Sequence, residues 1–171
     1  PMAHPVLVAR GGALSRTSGL GRAHHDLVDR LTVGMVPGFS LHGVVEHELE
    51  GGAAARYYRR RRGHPARVLK AAKVAKESGT RLLHISDQEQ AHLVPKESPL
   101  PVSVTIHDLF HIAPRVVNLS EGPVQVGDAE VGRARRRDLE LLMEGLARAD
   151  LFICISDATR TEVQQMFPDK L

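Results

Sequence analysis

Two runs decide the fold of this chain: Val102-Ser103-Val104-Thr105-Ile106 leading into His107-Asp108, and Leu151-Phe152-Ile153-Cys154-Ile155 leading into Ser156-Asp157. Both runs are short, apolar and rich in β-branched residues, which is typical of strands buried in a parallel sheet. In an open parallel sheet, ligands collect outside the carboxyl ends of the strands. We therefore expect His107 and Ser156 to face the same crevice.

Further strands and helices alternate along the sequence. Apolar runs bounded by turn residues predict three more strands, at 6–9, 33–36 and 81–85. Helical spacing and capping residues predict four helical segments, which follow Ser18, cover 56–76 with a break near Gly63, cover 128–149 and follow Ser156. This alternation predicts an α/β fold, a Rossmann-like parallel sheet with helices on both faces.

Two stretches fit neither pattern. The glycine-rich segment 39–55 gives no clear assignment, and residues 109–127 are predicted to form a long loop. Loops of that length inside a compact domain are usually functional or mobile.

The composition bounds the class of protein. A chain of 171 residues with 42% hydrophobic content is long enough for one domain with a sizeable core. The sequence contains no apolar run long enough to span a membrane and no signal-peptide pattern at its start. The single cysteine, Cys154, lies within an apolar run and is expected to be a small core residue in a reduced, cytoplasmic protein. Pro1 before Met2, with no strand following the last helix, predicts a piece cut from a longer protein.

Three blocks of the sequence carry a family resemblance. They are Thr105-Ile106-His107-Asp108-Leu109-Phe110 with Pro114-Arg115, the run from Gly145 to Arg160, and the loop from Gly11-Gly12 to Gly19-Leu20-Gly21. Together they resemble the amino-terminal half of a GT-B glycosyltransferase of retaining family 4. The resemblance implies that the parent enzyme moves a hexosyl unit from a nucleotide-sugar donor to a sugar or lipid-linked acceptor. It also implies that a second domain, absent from this chain, binds most of the donor, that the isolated domain is inactive, and that no metal or other cofactor is required.

His107 and Asp108 are the predicted catalytic residues. A histidine hydrogen-bonds sugar hydroxyls and changes charge near neutral pH, and an adjacent carboxylate orients a partner group. The resemblance implies that His107 faces the transferred sugar and that Asp108 shapes the cleft. A histidine that merely ends a strand is the structural alternative. The motif H-D-x-x-H, with His111, also suggests a metal site, but a short strand before His107 opposes a helical ligand face.

The remaining predicted binding residues come from three places. The glycine loop does not match G-x-G-x-x-G, so a nicotinamide cofactor is not expected, but its backbone and the following helix can approach an anionic or polyol ligand. By resemblance the loop contributes Gly19, Gly21 and Arg22. Substrate contacts are also expected from the ends of the third and last strands, at His84, Asp87, Gln88, Ser156 and Arg160.

A basic run is the strongest charge feature of the chain. Arg59, Arg60, Arg61 and Arg62 follow Tyr57-Tyr58, while the net charge of the whole chain is only +3. The run is either a solvated helix face or a platform for an anionic partner, such as a peripheral membrane surface, a phosphorylated acceptor or nucleic acid. Nucleic acid ranks lowest, because no recognised nucleic-acid-binding motif accompanies the run. A non-catalytic binding module recruited to an anionic surface is therefore the alternative function.

Overall fold

The computed structural model describes residues 2–127 and 130–170, which form a parallel sheet flanked by helices. The strands, numbered along the chain, are β1 His4–Gly12, β2 Phe39–His47, β3 Leu82–Ile85, β4 Val102–Ile106, β5 Arg115–Leu119, β6 Gly122–Val126 and β7 Leu151–Cys154. The helices are α1 Gly19–Thr32, α2 Ala53–Tyr58, α3 His64–Glu77, α4 Arg133–Arg148 and α5 Asp157–Met166. Short irregular helices cover Arg59–Gly63, Gln88–Leu93 and Pro168–Lys170.

All pairings in the main sheet are parallel, and the strand order is β2-β1-β3-β4-β7. The two strands of the opening prediction are neighbours, with Thr105 opposite Ile153 and Ile106 opposite Cys154. Their carboxyl ends therefore lie side by side. The prediction of a Rossmann-like α/β sheet is confirmed.

The sheet buries both faces, and alternation along β1 shows which helices cover each. Leu7 and Ala9 belong to the larger apolar cluster, which includes residues of α3, α4 and α5, such as Val68, Leu146 and Val163. Val6 and Val8 point the other way and pack in a smaller cluster with Leu31 and its neighbours on α1. Helices thus lie on both faces, as the alternation of elements predicted.

The predicted strand at 33–36 is wrong. Gly34 and Gly38 have φ values of +73° and +79°, which place them in turns that a regular strand cannot contain. The apolar residues between α1 and β2 are largely in water, with Val33 68% and Met35 64% exposed. The strand lies just beyond, at Phe39–His47, within the segment that gave no clear pattern.

The predicted long loop at 109–127 is also wrong, because it contains an antiparallel hairpin of β5 and β6. Most side chains of the hairpin are exposed, so no apolar periodicity marks its strands. The helix predicted from 128 begins at Arg133, and residues 128 and 129 lie outside the described residues.

The basic segment forms one continuous helical path. Its predicted break near Gly63 takes the form of a π-helical turn over Arg59–Gly63 between α2 and α3. Within 2–127 and 130–170, no helix is both long and apolar enough to cross a bilayer.

Candidate functional site

His107 lies directly after β4, at the carboxyl edge of the sheet, and its imidazole is half-buried. Nε2 donates a hydrogen bond to the carbonyl oxygen of Ser86 over 3.2 Å, and the backbone amide donates to Gln88 Oε1 over 2.9 Å. Donation from Nε2 selects the tautomer in which Nδ1 carries the lone pair. Nδ1 is therefore the ring atom available to a ligand.

The first turn of α5 contacts the same edge. Ser156 caps the helix by accepting a hydrogen bond from the Thr159 amide over 3.2 Å, as its position predicted. Thr159 Oγ1 donates to the carbonyl oxygen of His107 over 3.3 Å. The structure thus brings Ser156 and His107 to one rim. Arg160 is exposed on the second turn of the same helix.

Gln88 and His111 are hydrogen-bonded to each other, and Gln88 also bonds the backbone of the rim at His107. The Gln88 side chain is only 1% exposed, and its amide donates to His111 Nε2 over 3.3 Å. His111 Nδ1 lies 3.1 Å from Glu89 Oε1. Gln88 therefore positions the His107 backbone, and little of its side chain is left for an open contact with substrate.

Asp108 forms the next part of the rim. Its Oδ1 accepts a hydrogen bond from the Phe110 amide over 3.2 Å and lies 3.9 Å from His111 Nε2. About a third of the side chain is exposed. The carboxylate thus fixes the turn after β4 and still reaches solvent beside His107.

The structure does not bring His84 to the crevice. Its side chain lies inside the sheet, with Nδ1 hydrogen-bonded to Ser103 Oγ at 2.8 Å and Nε2 to Thr105 Oγ1 at 3.1 Å. Burial lowers the pKa of His84 to about 4, because charging the ring there costs desolvation energy. The ring is therefore neutral at pH 7 and holds strands β3 and β4 together.

Asp87 faces Arg10 at the ends of β3 and β1. The two side chains are 5% and 3% exposed, and Arg10 Nη2 lies 3.9 Å from Asp87 Oδ2. Burial raises the pKa of Asp87, against the opposing pull of Arg10 and of the Glu89 amide, which donates to Oδ1 over 2.9 Å. Sequence reasoning missed Arg10, although a charged residue directly after the apolar run of β1 was a usable signal.

His24 was also missed. His24 is 3% exposed, and its Nδ1 is hydrogen-bonded to Ser86 Oγ at 2.8 Å. Burial, together with the charge of Arg10, lowers the pKa of His24 to about 4. His24 and His107 thus hold the same residue, Ser86, through its side chain and its backbone.

The contacts described for the glycine-loop residues Gly19, Gly21 and Arg22 do not include His107. Gly21 packs beneath its own loop, where any Cβ would overlap the carbonyl oxygen of Ser15, so local packing already requires glycine there. Gly19 is exposed at the start of α1, with open space at its Cβ position. Arg22 is exposed and lines a shallow depression on α1 with Asp26 and other residues of that helix.

The basic run is mostly bound to its own chain. Arg59 donates to the carbonyl oxygens of Glu48 and Glu50, and Arg60 donates to the carbonyl oxygen of Glu89. Arg61 pairs with Asp138 at 2.9 Å and stacks on Tyr57, with its guanidinium carbon 4.2 Å from the ring centre. Of the four consecutive arginines, only Arg62 is classed as exposed. This arrangement does not favour the basic run as a free anionic-surface platform.

No group of three histidine, cysteine, aspartate or glutamate side chains suited to a metal ion occurs in the described part of the chain. No protein-family model matches the sequence. No curated protein matches it by sequence either. The rim brings together a fixed imidazole, a partly exposed carboxylate and a helix cap.

Proposed function

We propose that the chain is the acceptor-binding half of a retaining glycosyltransferase, which moves a hexosyl unit from a nucleotide sugar to an acceptor hydroxyl. One observation carries this proposal. His107 lies at the carboxyl edge of a parallel sheet, with Nε2 held by the Ser86 carbonyl and Nδ1 left to accept a hydrogen bond. Such an atom suits a sugar hydroxyl, which is both a donor and an acceptor.

The proposal gives each rim residue a role. His107 Nδ1 accepts a hydrogen bond from a sugar hydroxyl and thereby fixes the orientation of the sugar ring. Asp108 accepts from a second hydroxyl on its exposed side. Holding the reacting groups in this way contributes to rate by removing their rotational freedom. Gln88 and Thr159 act as positioning residues, because they hold the His107 backbone from two directions.

The donor belongs mainly to a second domain in this proposal, so the nucleotide sugar is a co-substrate and no resident cofactor is assigned. The acceptor is a sugar or a lipid-linked sugar. A cytoplasmic location belongs to the same proposal, since the lone Cys154 forms no disulfide within the chain.

Acceptor binding is testable on the 171-residue chain by amide NMR. Methyl α-mannoside and methyl α-glucoside are the probes, and we expect the largest shifts at His107, Asp108 and Ser156. His107→Ala should weaken binding about tenfold, since a hydrogen bond in the site is lost. His42→Ala, on the exposed side of β2, is the matched control and should bind like the wild type. Shifts confined to other surfaces, or equal affinity of the two variants, would contradict the proposal.

A further inference from the structure

A pocket opens at the carboxyl ends of β1 and β2, at the same edge of the sheet as the rim. It has a volume of about 250 Å³. Its walls come from the end of β1, the end of β2, the basic helical path and the short helix after β3. We call it the arginine pocket. It is lined by Arg10, Gly11, Gly12, Leu14, His47, Leu49, Arg56, Arg60, His64, Gln90 and His92.

The positive charge of the arginine pocket comes from its arginines, because burial lowers the pKa of His64 and lowers that of His92 to about 3. Three arginines and three histidines line it, and no aspartate or glutamate is among its described lining residues. Arg56 is exposed at its mouth, and Arg60 is half-buried and bound to its own chain by one long contact of 3.4 Å, to the carbonyl of Glu89. Arg10 faces Asp87, whereas Arg56 and Arg60 form no ion pair among the described residues. Guanidinium groups without a paired carboxylate favour a phosphate ester, whose oxygens they bind in pairs.

Buried polar atoms without partners cluster at this pocket. Nδ1 of His64 has no hydrogen-bond partner among the described residues, and His64 is 2% exposed. Gln90 Oε1 and His92 Nδ1 lack partners too. Since buried polar groups are nearly always paired, this concentration points to a ligand.

The polar atoms of the pocket are of two kinds. Arg56 and Arg60 offer donors, whereas Gln90 Oε1 offers an acceptor. His64 Nε2 donates to the carbonyl oxygen of Arg10 over 2.5 Å, so Nδ1 of the neutral ring is also an acceptor. Burial lowers the pKa of His64 and thus favours the neutral ring. A ligand that satisfies both kinds of atom carries an anion and hydroxyl groups together.

Glycine at the end of β1 keeps the pocket open. A Cβ at Gly11 would overlap Gln90 Oε1, and a Cβ at Gly12 would overlap the Leu49 side chain. The backbone of β1 therefore lies against both walls. The volume is below the range of about 300–1,000 Å³ that drug-sized ligands occupy, so a single monosaccharide phosphate is the largest ligand it suits.

We propose that the arginine pocket binds a phosphorylated sugar, with its phosphate on Arg56 and Arg60 and its hydroxyls on His64 Nδ1 and Gln90 Oε1. The site stands on its own contacts, but the assignment of this ligand as the acceptor rests on the proposed glycosyl transfer. Asp87 connects the two sites, because it pairs with Arg10, which lines the pocket, and interacts electrostatically with His107 of the rim.

Calorimetric titration of the full 171-residue chain tests the proposal. The probes are glucose 6-phosphate, mannose 6-phosphate, glucose, inorganic phosphate and glycerol 3-phosphate, the last standing for a lipid headgroup. We expect a hexose phosphate to bind at least about tenfold more tightly than inorganic phosphate or glycerol 3-phosphate. Arg56→Gln and Arg60→Gln should each weaken that binding about tenfold. Arg81→Gln, an exposed arginine before β3 at the opposite edge of the sheet, is the matched control and should leave it unchanged.

Three results would overturn the proposal. They are equal binding of hexose phosphate, inorganic phosphate and glycerol 3-phosphate, tighter binding of glycerol 3-phosphate than of hexose phosphate, and the same loss in the Arg81 variant as in the pocket variants. Its failure is distinguishable from failure of the proposed function. If the complete protein transfers sugar but does not bind hexose phosphate, only the proposed phosphosugar site is contradicted. If hexose phosphate binds, Arg60→Gln abolishes that binding, and the complete protein transfers no sugar, only the proposed glycosyl transfer is contradicted.

Discussion

Thr159 Oγ1 donates a hydrogen bond to the carbonyl oxygen of His107 over 3.3 Å, which ties the first turn of α5 to the end of β4. The two residues come from segments 52 positions apart in the sequence. Thr159 is 8% exposed, so the bond is shielded from water. This contact makes the ends of β4 and β7 a single rim.

Removal of the Thr159 hydroxyl should loosen that rim. Thr159→Val keeps the shape of the side chain and loses its hydrogen bonds to the His107 carbonyl oxygen and to Ser156 Oγ, and we expect the free energy of unfolding to fall by about 1–2 kcal/mol. Thr161→Val on the same helix removes an exposed hydroxyl that bonds only to Asp157, and should change stability by less than about 0.5 kcal/mol. Urea unfolding of both variants measures the difference, and equal stabilities would contradict the tie.

Acid should destabilise the fold through its buried histidines. The pKa of His24 and of His84 is lowered to about 4, against about 6.5 in an unfolded chain. Between these values the unfolded state binds more protons, so stability is fully present above pH 6.5 and is lost as pH falls toward 4. At pH 5, each ring should lower the free energy of unfolding by on the order of 1 kcal/mol relative to pH 7.

NMR titration of the histidine rings, with urea midpoints at pH 7, 6 and 5, checks this prediction. The ring signals of His24 and His84 should not titrate above pH 5. Titration of either ring near pH 6.5 in the folded protein, or stability independent of pH over this range, would show that burial is not the cause.

Arg61 should matter to stability far more than its neighbour. Arg61→Ala removes the pair with Asp138, the hydrogen bond to the carbonyl of Ala134 and the stacking on Tyr57. We expect a loss of about 1–3 kcal/mol, because the groups left behind are partly buried. Arg62→Ala, the exposed neighbour, should stay within about 0.5 kcal/mol of the wild type. Thermal unfolding measures the stability of both variants. Equal losses would contradict the stabilising contacts assigned to Arg61.

Gly145 permits the close contact between α4 and the short helix after β3. A Cβ there would overlap the carbonyl oxygen of Ala91, so Gly145→Ala should cost about 1–3 kcal/mol through forced displacement of the backbone. Gly63→Ala has open space and a helical backbone, and should be neutral or stabilising by up to about 1 kcal/mol. A Gly145→Ala protein as stable as the wild type in urea would disprove the contact.

The sequence predicted the part of the fold where local pattern and burial agree. Residues 102–106 and 151–154 are short apolar runs in neighbouring strands, and Ser18 and Ser156 cap helices through their own side chains. Strand β2 escaped prediction because it is an edge strand with mostly half-exposed residues and two irregular pairings with β1. A strand was predicted instead at 33–36, because an exposed apolar run in a turn has the same composition as a buried strand.

The rim was predictable and the arginine pocket was not. His107 and Ser156 each follow directly from a strand, so the parallel topology alone brings them together. Arg10, His64 and Gln90 come from three separate elements, and only the tertiary fold sets their spacing. His84 shows the reverse case, because a polar residue within a strand can bond across the sheet and never reach its edge.

Sugar transfer by the complete protein tests the central claim most directly. The measurement is product formation from UDP-glucose and GDP-mannose with hexose and hexose-phosphate acceptors, with the anomeric configuration of the product read by NMR. We expect transfer with retention, which His107→Ala lowers by at least about a hundredfold and His42→Ala leaves unchanged. Transfer that proceeds equally well without the His107 imidazole, or a product of inverted configuration, would contradict the account.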